Sequence, residues 1–439
     1  MTPTSTRPAP ARAAGPTGLP RLLAGYRPDG SVGLEEHLHQ YGRPPYGTAR
    51  RGALVALVAA VEASGLRGRG GAAFPTGRKM RTVAQARGRT AVVVNGSEGE
   101  PLSAKDRLVL TCLPHLALDG AVLAAEAVGA DEVTIAIDRN ARRALTAVSR
   151  AVETRRRAQL DPVPVQVVAL PPRYVAGEET ALVHFLNGGE AKPTFTPPRP
   201  FERGLGGRPT LIQNVETIAN VGLIARYGPD WFRELGTADE PGSTLLTIGG
   251  VVNHGCVCEV ALGTTLAAAV RATGGTTQDV SAFLLGGYYG TWLSAEKTWD
   301  VPLTNAALKA RGASLGTGVV YAFPAGCCGL VASARITDYL ARETAGQCGP
   351  CVYGLRAVAD AMTSLAEGRH VEAMVGRLRQ LFKEVRGRGA CNYPDGVLRF
   401  AASALETFDD EVARHAARRR CLASEPPEMP IPTYDATWR

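Results

Sequence analysis

Strand-like and helix-like stretches alternate through the first half of the chain, and this alternation constrains the fold more than any other feature. The helical patterns cover residues 53–66, 116–130 and 177–189, and the apolar strand patterns cover residues 90–95, 132–138 and 163–170. Strands that alternate with helices are typical of a parallel sheet with helices on its faces. We therefore predict an α/β domain, with one further helix that ends near Arg157.

The pattern changes in the second half of the chain. The Pro-rich segment 192–210 cannot form a regular element and is expected to cross the surface, and a helix is predicted over 211–228. From Gly242 to about residue 325, short strands and many glycines around one helix predict a small α+β domain. Long helical patterns from residue 332 to residue 415 predict a helical bundle.

The composition favours a cytoplasmic globular protein of two to four domains. The chain has 439 residues, of which 45% are hydrophobic, and no run of 18 apolar residues predicts a transmembrane helix. The first 25 residues are rich in Pro, Ala, Thr and Arg and have no apolar core, which indicates a disordered leader and not a signal peptide. The nine cysteines are expected to be thiols or metal ligands, not disulfides.

Positive charge is concentrated near the amino terminus. Residues 1–90 hold 14 Lys and Arg against 4 Asp and Glu, a net charge of +10, whereas the whole chain carries +8. Such a region is compatible with nucleic acid, a membrane surface, an anionic small ligand or solvated charge. Arg67, Arg69, Arg78 and Lys79 stand among glycines and not among interleaved aromatic residues, so a small anion is favoured over nucleic acid.

A glycine-rich stretch, "GLRGRGGAAFPTGRKM", follows the first long helix. Its five glycines would let backbone N–H groups approach an anion, and the following helix start would add its dipole. The stretch is neither a dinucleotide fingerprint after a strand nor a Walker loop. A ligand-free turn and a phosphate cradle therefore both remain open.

Acidic residues follow strands or open helices at two places. Glu98 and Glu100, in "NGSEGEP", come directly after a buried strand, where α/β sheets bind ligands. Carboxylates there would accept hydrogen bonds from ribose hydroxyls or an amide, although an ordinary solvated turn is the alternative. Glu178 and Glu179, in "YVAGEET", lie at a helix start, where the helix dipole alone would account for them.

Three cysteines near the carboxyl terminus indicate a metal or cluster site. Cys348 and Cys351 form a Cys-x-x-Cys pair, and Cys391 lies on a distant loop, "RGACNYPDG". This arrangement is typical of a cluster held between helices. A redox dithiol at a helix start is the alternative, but the preceding strand of a thioredoxin-like unit is missing.

Together these stretches resemble one family, the flavin-containing, NADH-oxidising subunit of respiratory complex I, which is also found in NAD-linked hydrogenases and formate dehydrogenases. The resemblance covers about residues 45–410 and rests on motifs in a fixed order. The motifs are "GLRGRGGAAFPTG", "VVNGSEGEP" with "KDR" and "PH", "YVAGEETAL", "GRPTLIQNVETIANV" and the cysteines.

The resemblance implies an α/β flavin domain, a small ubiquitin-like β-grasp domain of the soluble-ligand-binding type (SLBB), and a C-terminal helical bundle with a [4Fe–4S] cluster. The implied boundaries are a disordered basic leader over 1–45, an FMN- and NADH-binding domain over 46–240, the β-grasp domain over 241–328, the iron–sulfur domain over 329–422 and a tail over 423–439.

The resemblance also assigns site residues by their position in the motifs. The residues implied to hold FMN are Gly68, Gly70, Gly71, Lys79, Asn95, Gly177, Glu179, Asn214 and Thr217. Those implied to contact NADH are Phe74 at the adenine, Glu100 at the nicotinamide, and Glu178 at the ribose with Tyr174 nearby. Glu98 is expected to bind cofactor from its place in the acidic turn.

The chain departs from the family pattern at four positions. Ser97 replaces an Asp, Gln213 replaces an Asn, and Thr82 stands near the place of a stacking aromatic residue. Ala345 occupies the position of the first cluster ligand, so only the thiols of Cys348, Cys351 and Cys391 remain. A [4Fe–4S] cluster with a water or other ligand, help from Cys327 or Cys328, a [3Fe–4S] cluster, and loss of the cluster are all left open.

The activity implied by the resemblance is that of an NADH dehydrogenase subunit. A hydride would pass from NADH to FMN, and single electrons would pass through the cluster to a separate [2Fe–2S] or ferredoxin-like protein. The chain would then be cytoplasmic and, within a membrane complex, a peripheral subunit. A non-catalytic electron-transfer or scaffold subunit of the same fold, without NADH or cluster binding, is the alternative; a nucleic-acid-binding protein is not favoured.

Overall fold

The computed structural model describes residues 18–28, 30–46, 51–418, 424–433 and 437–439, without the side chains of 51–55 and 418. The first 17 residues of the predicted leader lie outside the described part. For the described residues between 18 and 45, the prediction of a disordered leader is wrong, because α1 forms over Leu34–Tyr41 and Leu22 is buried. His37 Nε2 lies 2.8 Å from the Asp119 carboxylate, which fastens α1 to the main body.

A four-stranded parallel sheet forms the centre of the first domain. Its strands are β1 (Thr90–Gly96), β2 (Ala130–Asp138), β3 (Val165–Leu170) and β4 (Thr210–Asn214), in the spatial order β3-β2-β1-β4. The strands β1, β2 and β3 lie where the sequence predicts strands. The helix predicted over 211–228 is wrong in its first turn, because Leu211 and Ile212 are buried beside β1 as part of β4.

Helices cover both faces of this sheet. They are α2 (Arg51–Ser64), α3 (Thr76–Ala84), α4 (Lys105–Cys112), α5 (Pro114–Val128), α6 (Arg142–Arg157), α7 (Glu179–Leu186), α8 (Val215–Tyr227) and α9 (Pro229–Arg233). A very close contact joins α5 to α8, where a Cβ at Gly120 would lie 1.8 Å from the carbonyl oxygen of Ile218. Only glycine fits there, and this close packing fixes the start of α8 against the sheet.

A second, five-stranded mixed sheet follows. Its strands are β5 (Ser243–Gly250), β6 (Cys256–Ala261), β7 (Val280–Leu285), β8 (Thr291–Ser294) and β9 (Val319–Pro324), in the order β6-β5-β9-β7-β8. The strands β5 and β9 are parallel and the other pairs are antiparallel. Two short helices, α10 (Leu266–Arg271) and α11 (Asn305–Lys309), accompany the sheet.

The rest of the chain is helical. The helices are α12 (Gly329–Arg342), α13 (Arg356–Ala366), α14 (Val371–Val385), α15 (Tyr393–Thr407) and α16 (Asp409–Arg418), with a π-helical segment at Pro350–Leu355. Their apolar core is shared with β7, β8 and β9 through Leu284, Trp292 and Phe323. No single helix in the described ranges is long and apolar enough to cross a membrane; α4 and α5 together pass by length and composition, but the chain bends by 96° between them.

Candidate functional site

The ends of β1 and β4 bring two asparagines side by side. Asn95 and Asn214 are register partners in the parallel pair, although they are far apart in the chain. The carboxyl ends of neighbouring parallel strands share one edge of the sheet, where α/β folds bind ligands. Asn95 Nδ2 donates to the carbonyl oxygen of Gly177 at 2.7 Å, so the "YVAGEET" turn closes on the same edge.

The glycine-rich loop lies over the start of α8. The Arg69 amide donates to Thr217 Oγ1 at 2.8 Å, and a Cβ at Gly70 would lie 3.2 Å from the Asn214 Cβ. Gly71 has φ +112°, a conformation that an L side chain rarely adopts. The loop is therefore held at the sheet edge by Thr217 and Asn214.

Asn214 and Thr217 also organise the start of α8. The Asn214 Oδ1 atom accepts from the Glu216 amide at 3.0 Å, and its Nδ2 donates to the Asp106 carboxylate at 2.6 Å. The Lys105 ammonium, which is buried, lies 2.8 Å from the Glu216 carboxylate. Lys105 belongs to the quoted "KDR" motif, but sequence reasoning gave it no role; its pairing with Glu216 shows only in three dimensions.

The acidic turn places its two glutamates differently. Glu98 Oε1 accepts from Ser103 Oγ at 2.5 Å and from the Asp106 amide at 3.0 Å, and Glu98 Oε2 accepts from the Arg107 amide at 3.1 Å. Burial and the nearby Asp106 raise the pKa of this carboxyl. Both Glu98 oxygens thus stabilise the start of α4, while the expectation that Glu98 binds cofactor stays a prediction.

Glu100 lies on the inner side of the turn, between the two sheets. It is buried, and its Oε2 atom accepts from the Tyr174 hydroxyl at 2.9 Å and from the Tyr288 amide at 2.8 Å. Burial raises the pKa of Glu100 to about 7, although these hydrogen bonds oppose the shift. The structure thus brings Glu100 and Tyr174 together, and it adds Tyr288, which sequence reasoning missed because it comes from the second sheet.

The "YVAGEET" turn positions the next two glutamates. Glu178 Oε2 accepts from the Thr180 amide at 2.9 Å and the Ala181 amide at 3.0 Å, so this side chain caps α7. Glu179 Oε2 lies 3.3 Å from the Lys79 ammonium of α3. The Lys79–Glu179 pair joins the glycine-rich stretch to this turn, two of the segments that carry the resemblance.

Polar atoms without partners line the same edge. The Ser97 hydroxyl and the Gln213 Nε2 atom are buried and have no hydrogen-bond partner within the described structure. A Cβ at Gly177 would lie 3.2 Å from Ser97 Oγ, so Ser97 faces that turn closely. Buried polar groups are normally satisfied, and these two orphan groups suit a bound polar ligand such as the edge of a flavin.

One aromatic side chain lies exposed beside the glycine-rich loop. Phe74 is 48% exposed, and the Arg78 guanidinium lies 5.9 Å from its ring centroid. Thr82, near the position of the family's stacking residue, is exposed and donates its hydroxyl to the Arg78 carbonyl oxygen at 3.0 Å. Phe74 is therefore the aromatic face available next to the loop.

The three predicted cluster cysteines adjoin the same apolar core. The Cys351 amide donates to the Cys348 carbonyl oxygen at 3.0 Å, so the two cysteines share one turn of the chain. Burial, followed by the two neighbouring thiols, raises the pKa of Cys351 well above its usual range. Thiolates in such a place require a compensating positive charge, which the iron of a cluster supplies.

The fourth ligand is missing. Ala345 packs against the same apolar core as Cys348 and Cys391 and brings no donor atom. Cys328 Sγ instead lies 3.5 Å from His415 Nε2, and Cys327 Sγ donates to the Glu425 carbonyl oxygen. In this structure both thiols therefore have other partners, and a role for either at the cluster stays a prediction.

The fit of the cysteines to a cluster is partial. No three His, Cys, Asp or Glu side chains in the described ranges form a ready ligand group for a single metal ion. An iron–sulfur cluster is larger than one ion, so its thiolate ligands stand further apart than the ligands of a single metal ion.

The cysteines adjoin the sheet-edge site. The Tyr174 ring centroid lies 5.8 Å from that of Tyr393, two residues after Cys391, and the Glu178 carboxylate acts on the Cys391 thiol and raises its pKa further after burial. The "YVAGEET" turn therefore contacts both the strand ends and the cysteine region.

Two family descriptions match the chain. Residues 61–223 match the Nuo51 FMN-binding domain, and residues 331–415 match the NADH-ubiquinone oxidoreductase-F iron–sulfur binding region. The F subunit of the NADH-quinone oxidoreductase of Streptomyces coelicolor is 33% identical over 377 residues, which cover 83% of this chain and 84% of that protein. The chain belongs to the family of NADH-quinone oxidoreductase F subunits.

Other relatives include hydrogenase subunits. The NADP-reducing hydrogenase subunit HndC of Solidesulfovibrio fructosivorans is 29% identical over 84% of this chain and 77% of that protein. The crystal structure of an H2-reduced NAD+-reducing [NiFe]-hydrogenase aligns with a TM-score of 0.76 at 28% identity. That alignment covers 82% of this chain, and the chain spans 62% of the hydrogenase chain.

The family and its chemistry confirm the main predictions. The chain is an NADH-oxidising subunit with an FMN-binding domain and an iron–sulfur binding region, and it transfers electrons to partner proteins of a multi-subunit complex. The predicted family, enzyme class and cofactors are therefore confirmed.

Proposed function

We propose that FMN binds where the glycine-rich loop meets the ends of β1 and β4, with NADH stacked beside it. The juxtaposition of Asn95 with Asn214 under this loop carries the proposal. Gly68 would shape the loop, because its amide donates to the Phe74 carbonyl oxygen at 2.9 Å. The backbone amides of Gly70 and Gly71 would bind the FMN phosphate with the Lys79 ammonium. Asn95, Asn214 and Thr217 would hydrogen-bond the flavin and its ribityl chain, and Gly177 and Glu179 would lie near the ring.

NADH would be held by side chains at the rim of the same site. The exposed face of Phe74 would stack on the adenine. The hydrogen bonds that cap α7 go to Glu178 Oε2, so its Oε1 atom is left for a ribose hydroxyl. Glu100 and Tyr174 would line the nicotinamide side, where the Tyr288 loop shields them from water.

When bound, FMN supplies hydride acceptance from NADH, and an iron–sulfur cluster supplies one-electron transfer. The residues of this chain bind, orient and shield these groups, and no side chain has to move a proton in the hydride step. Three thiols, Cys348, Cys351 and Cys391, would hold the cluster. The absence of a ligand at Ala345 favours either a [3Fe–4S] cluster or a [4Fe–4S] cluster whose fourth iron has a non-thiol ligand.

The domains and the partner follow from the same assignment. We assign the five-stranded sheet, residues 241–328, as the SLBB β-grasp domain, residues 46–240 as the FMN- and NADH-binding domain, and residues 329–422 as the iron–sulfur domain. The electron acceptor would be a separate [2Fe–2S] or ferredoxin-like protein in a cytoplasmic, peripheral part of a complex. Val352 and Tyr353, directly after Cys351, are 44% and 77% exposed and offer an apolar surface to such a partner.

Anaerobic purification with absorbance and EPR spectra, before and after NADH, tests the proposal. We expect flavin absorbance that NADH bleaches and a cluster signal in the EPR spectrum. Cys391→Ser is expected to remove or alter the cluster signal and leave the flavin bleaching intact. Cys256→Ser, at an exposed thiol on β6, is the matched control and is expected to change neither.

Two outcomes would change the assignment. Colourless protein that does not respond to NADH would favour the non-catalytic scaffold subunit. Flavin bleaching without any cluster signal would retain the FMN assignment and reject the cluster at the three cysteines.

A further inference from the structure

A cavity of about 570 Å³ opens beside α6 and contains none of the residues assigned to FMN, NADH or the cluster. One wall is the exposed side of α6. The loop from Gly30 to Leu34 and the junction of α4 and α5 around Cys112 and His115 supply the rest of the lining. This volume lies within the range of small-molecule sites in proteins.

Three arginines of α6 line the cavity. Arg142 and Arg150 lie two helical turns apart with Thr146 between them, so they follow one face of the helix, and Arg143 lies beside them. All three are exposed, and none forms an ion pair with a carboxylate among the described residues. Within the described part of the chain, positive charge thus faces the cavity without a carboxylate partner.

The same helix shows that this lack of pairing is local. Arg155 pairs with Asp119 and Asp161, and Arg156 and Arg157 both pair with Glu153, at 2.9 and 2.7 Å. The arginines of the last turn therefore have carboxylate partners, whereas those along the cavity have none in the described structure. One set of α6 arginines is thus paired with carboxylates, and the other set faces a cavity without such a pair among the described residues, which favours a binding surface over general basicity.

The inner end of the cavity holds an unpaired polar group. His115 is 4% exposed, lines the cavity, and its Nδ1 atom has no hydrogen-bond partner in the described part of the chain. Burial, with His37 and Arg155 nearby, lowers the pKa of His115 to about 3, so the imidazole is neutral. A buried polar atom normally has a partner, and a bound molecule or water would supply one here.

The remaining lining is largely apolar. Val32, Leu34, Ala147 and Ala151 contribute hydrocarbon surface between the arginines and the histidine. A bare inorganic anion would contact the arginines alone and leave this surface uncovered. A ligand that joins an anionic group to a flat or apolar body would contact both.

We propose that this cavity binds an organic phosphate of the nucleotide class. Its phosphate groups would contact Arg142, Arg143 and Arg150, and its base would lie against the apolar lining near Val32 and Ala147. Arginine suits this role because its planar guanidinium matches phosphate oxygens in bidentate fashion. The site is additional to the proposed NADH site and does not depend on it.

Isothermal titration calorimetry with ADP tests the proposal on the full chain. The protein is first saturated with FMN and NAD+, so that ADP does not report on the proposed NADH site. We expect one ADP per chain, and weaker binding of inorganic phosphate. The Arg143→Gln/Arg150→Gln double variant is expected to bind ADP at least tenfold more weakly.

The matched control is the Arg156→Gln/Arg157→Gln double variant. It removes the same charge from the same helix outside the cavity, and ADP affinity should stay within twofold of the unaltered protein. All substituted side chains are exposed, so the unfolding midpoint should be unchanged. Equal weakening in both double variants, equal affinity for phosphate and ADP, or no ADP binding once NAD+ is present would each overturn the proposal.

Discussion

The buried carboxyl of Glu100 gives the protein a pH-dependent stability that one substitution should remove. Burial raises its pKa from 4.5 to about 7 in the folded chain. A folded state that keeps a proton to higher pH than the unfolded state is progressively destabilised as pH rises between these two values. Ionisation of Glu100 therefore does not lower the free energy of unfolding below pH 4.5, and it lowers that free energy by the full amount above pH 7.

The size of the effect follows from the shift and from the contacts. A pKa shift of this size lowers the free energy of unfolding by about 3 kcal/mol at pH 8. In Glu100→Gln the amide oxygen can take the place of Oε2 and keep the bonds from Tyr174 and Tyr288. The amide nitrogen would face the Leu102 amide, now 3.3 Å from Oε1, at a cost of about 1 kcal/mol. The variant should thus be more stable at pH 8 by about 2 kcal/mol.

Urea unfolding at pH 5 and pH 8, followed by tyrosine and tryptophan fluorescence, measures this difference. At pH 5 most of the gain should disappear, because Glu100 is then protonated in the folded state. Glu153→Gln, at a carboxylate on the outer surface of α6, is the control. The difference between its unfolding free energies at pH 5 and pH 8 should equal that of the unaltered protein. A Glu100→Gln variant that is no more stable at pH 8 than at pH 5, relative to the unaltered protein, would refute the assigned pKa.

Three further predictions concern the site. Gly287→Ala should destabilise more than Gly275→Ala in urea unfolding. Both positions have φ above +80°, so either alanine costs about 1–2 kcal/mol of backbone strain, but only at Gly287 would the Cβ lie 2.2 Å from the Glu100 carboxyl carbon. Equal losses of stability would contradict this contact. Phe74→Ala should raise KM for NADH severalfold with unchanged FMN content and unfolding midpoint, and an unchanged KM would contradict the stacking role. Ala345→Cys should slow the loss of cluster absorbance in air, and an unchanged rate would mean that no cluster iron faces this position.

The sequence predicted the first sheet well and missed one strand for a clear reason. The strands β1, β2 and β3 are apolar runs separated by long helices, so their pattern is distinct. In β4 only five residues, Thr210–Asn214, precede α8 without a turn, and their apolar residues fit the helical period that follows. Burial against β1, which no local pattern encodes, decides that they are extended.

The sequence indicated which residues belong to the candidate site better than it indicated the contacts that they make. The motifs indicated Asn95 and Asn214, and the register of the sheet made them neighbours. The sequence gives no sign that Glu98 caps α4, because its partners lie five to nine positions further on and are reached only when the turn folds back. Tyr288 was missed because its backbone amide, not its side chain, binds Glu100, and any residue type except proline could supply that amide.

The binding site is completed by a loop that belongs to the second sheet. Tyr288 donates its amide to Glu100, and a Cβ at Gly71 would lie 3.9 Å from the Gly316 backbone. The stretch that matches the FMN-binding domain ends at residue 223, before either of these neighbours. If that stretch alone were moved into another protein, Glu100 would lose the Tyr288 hydrogen bond and the glycine-rich loop would lose its Gly316 neighbour. A module that keeps both contacts must therefore extend at least to β9.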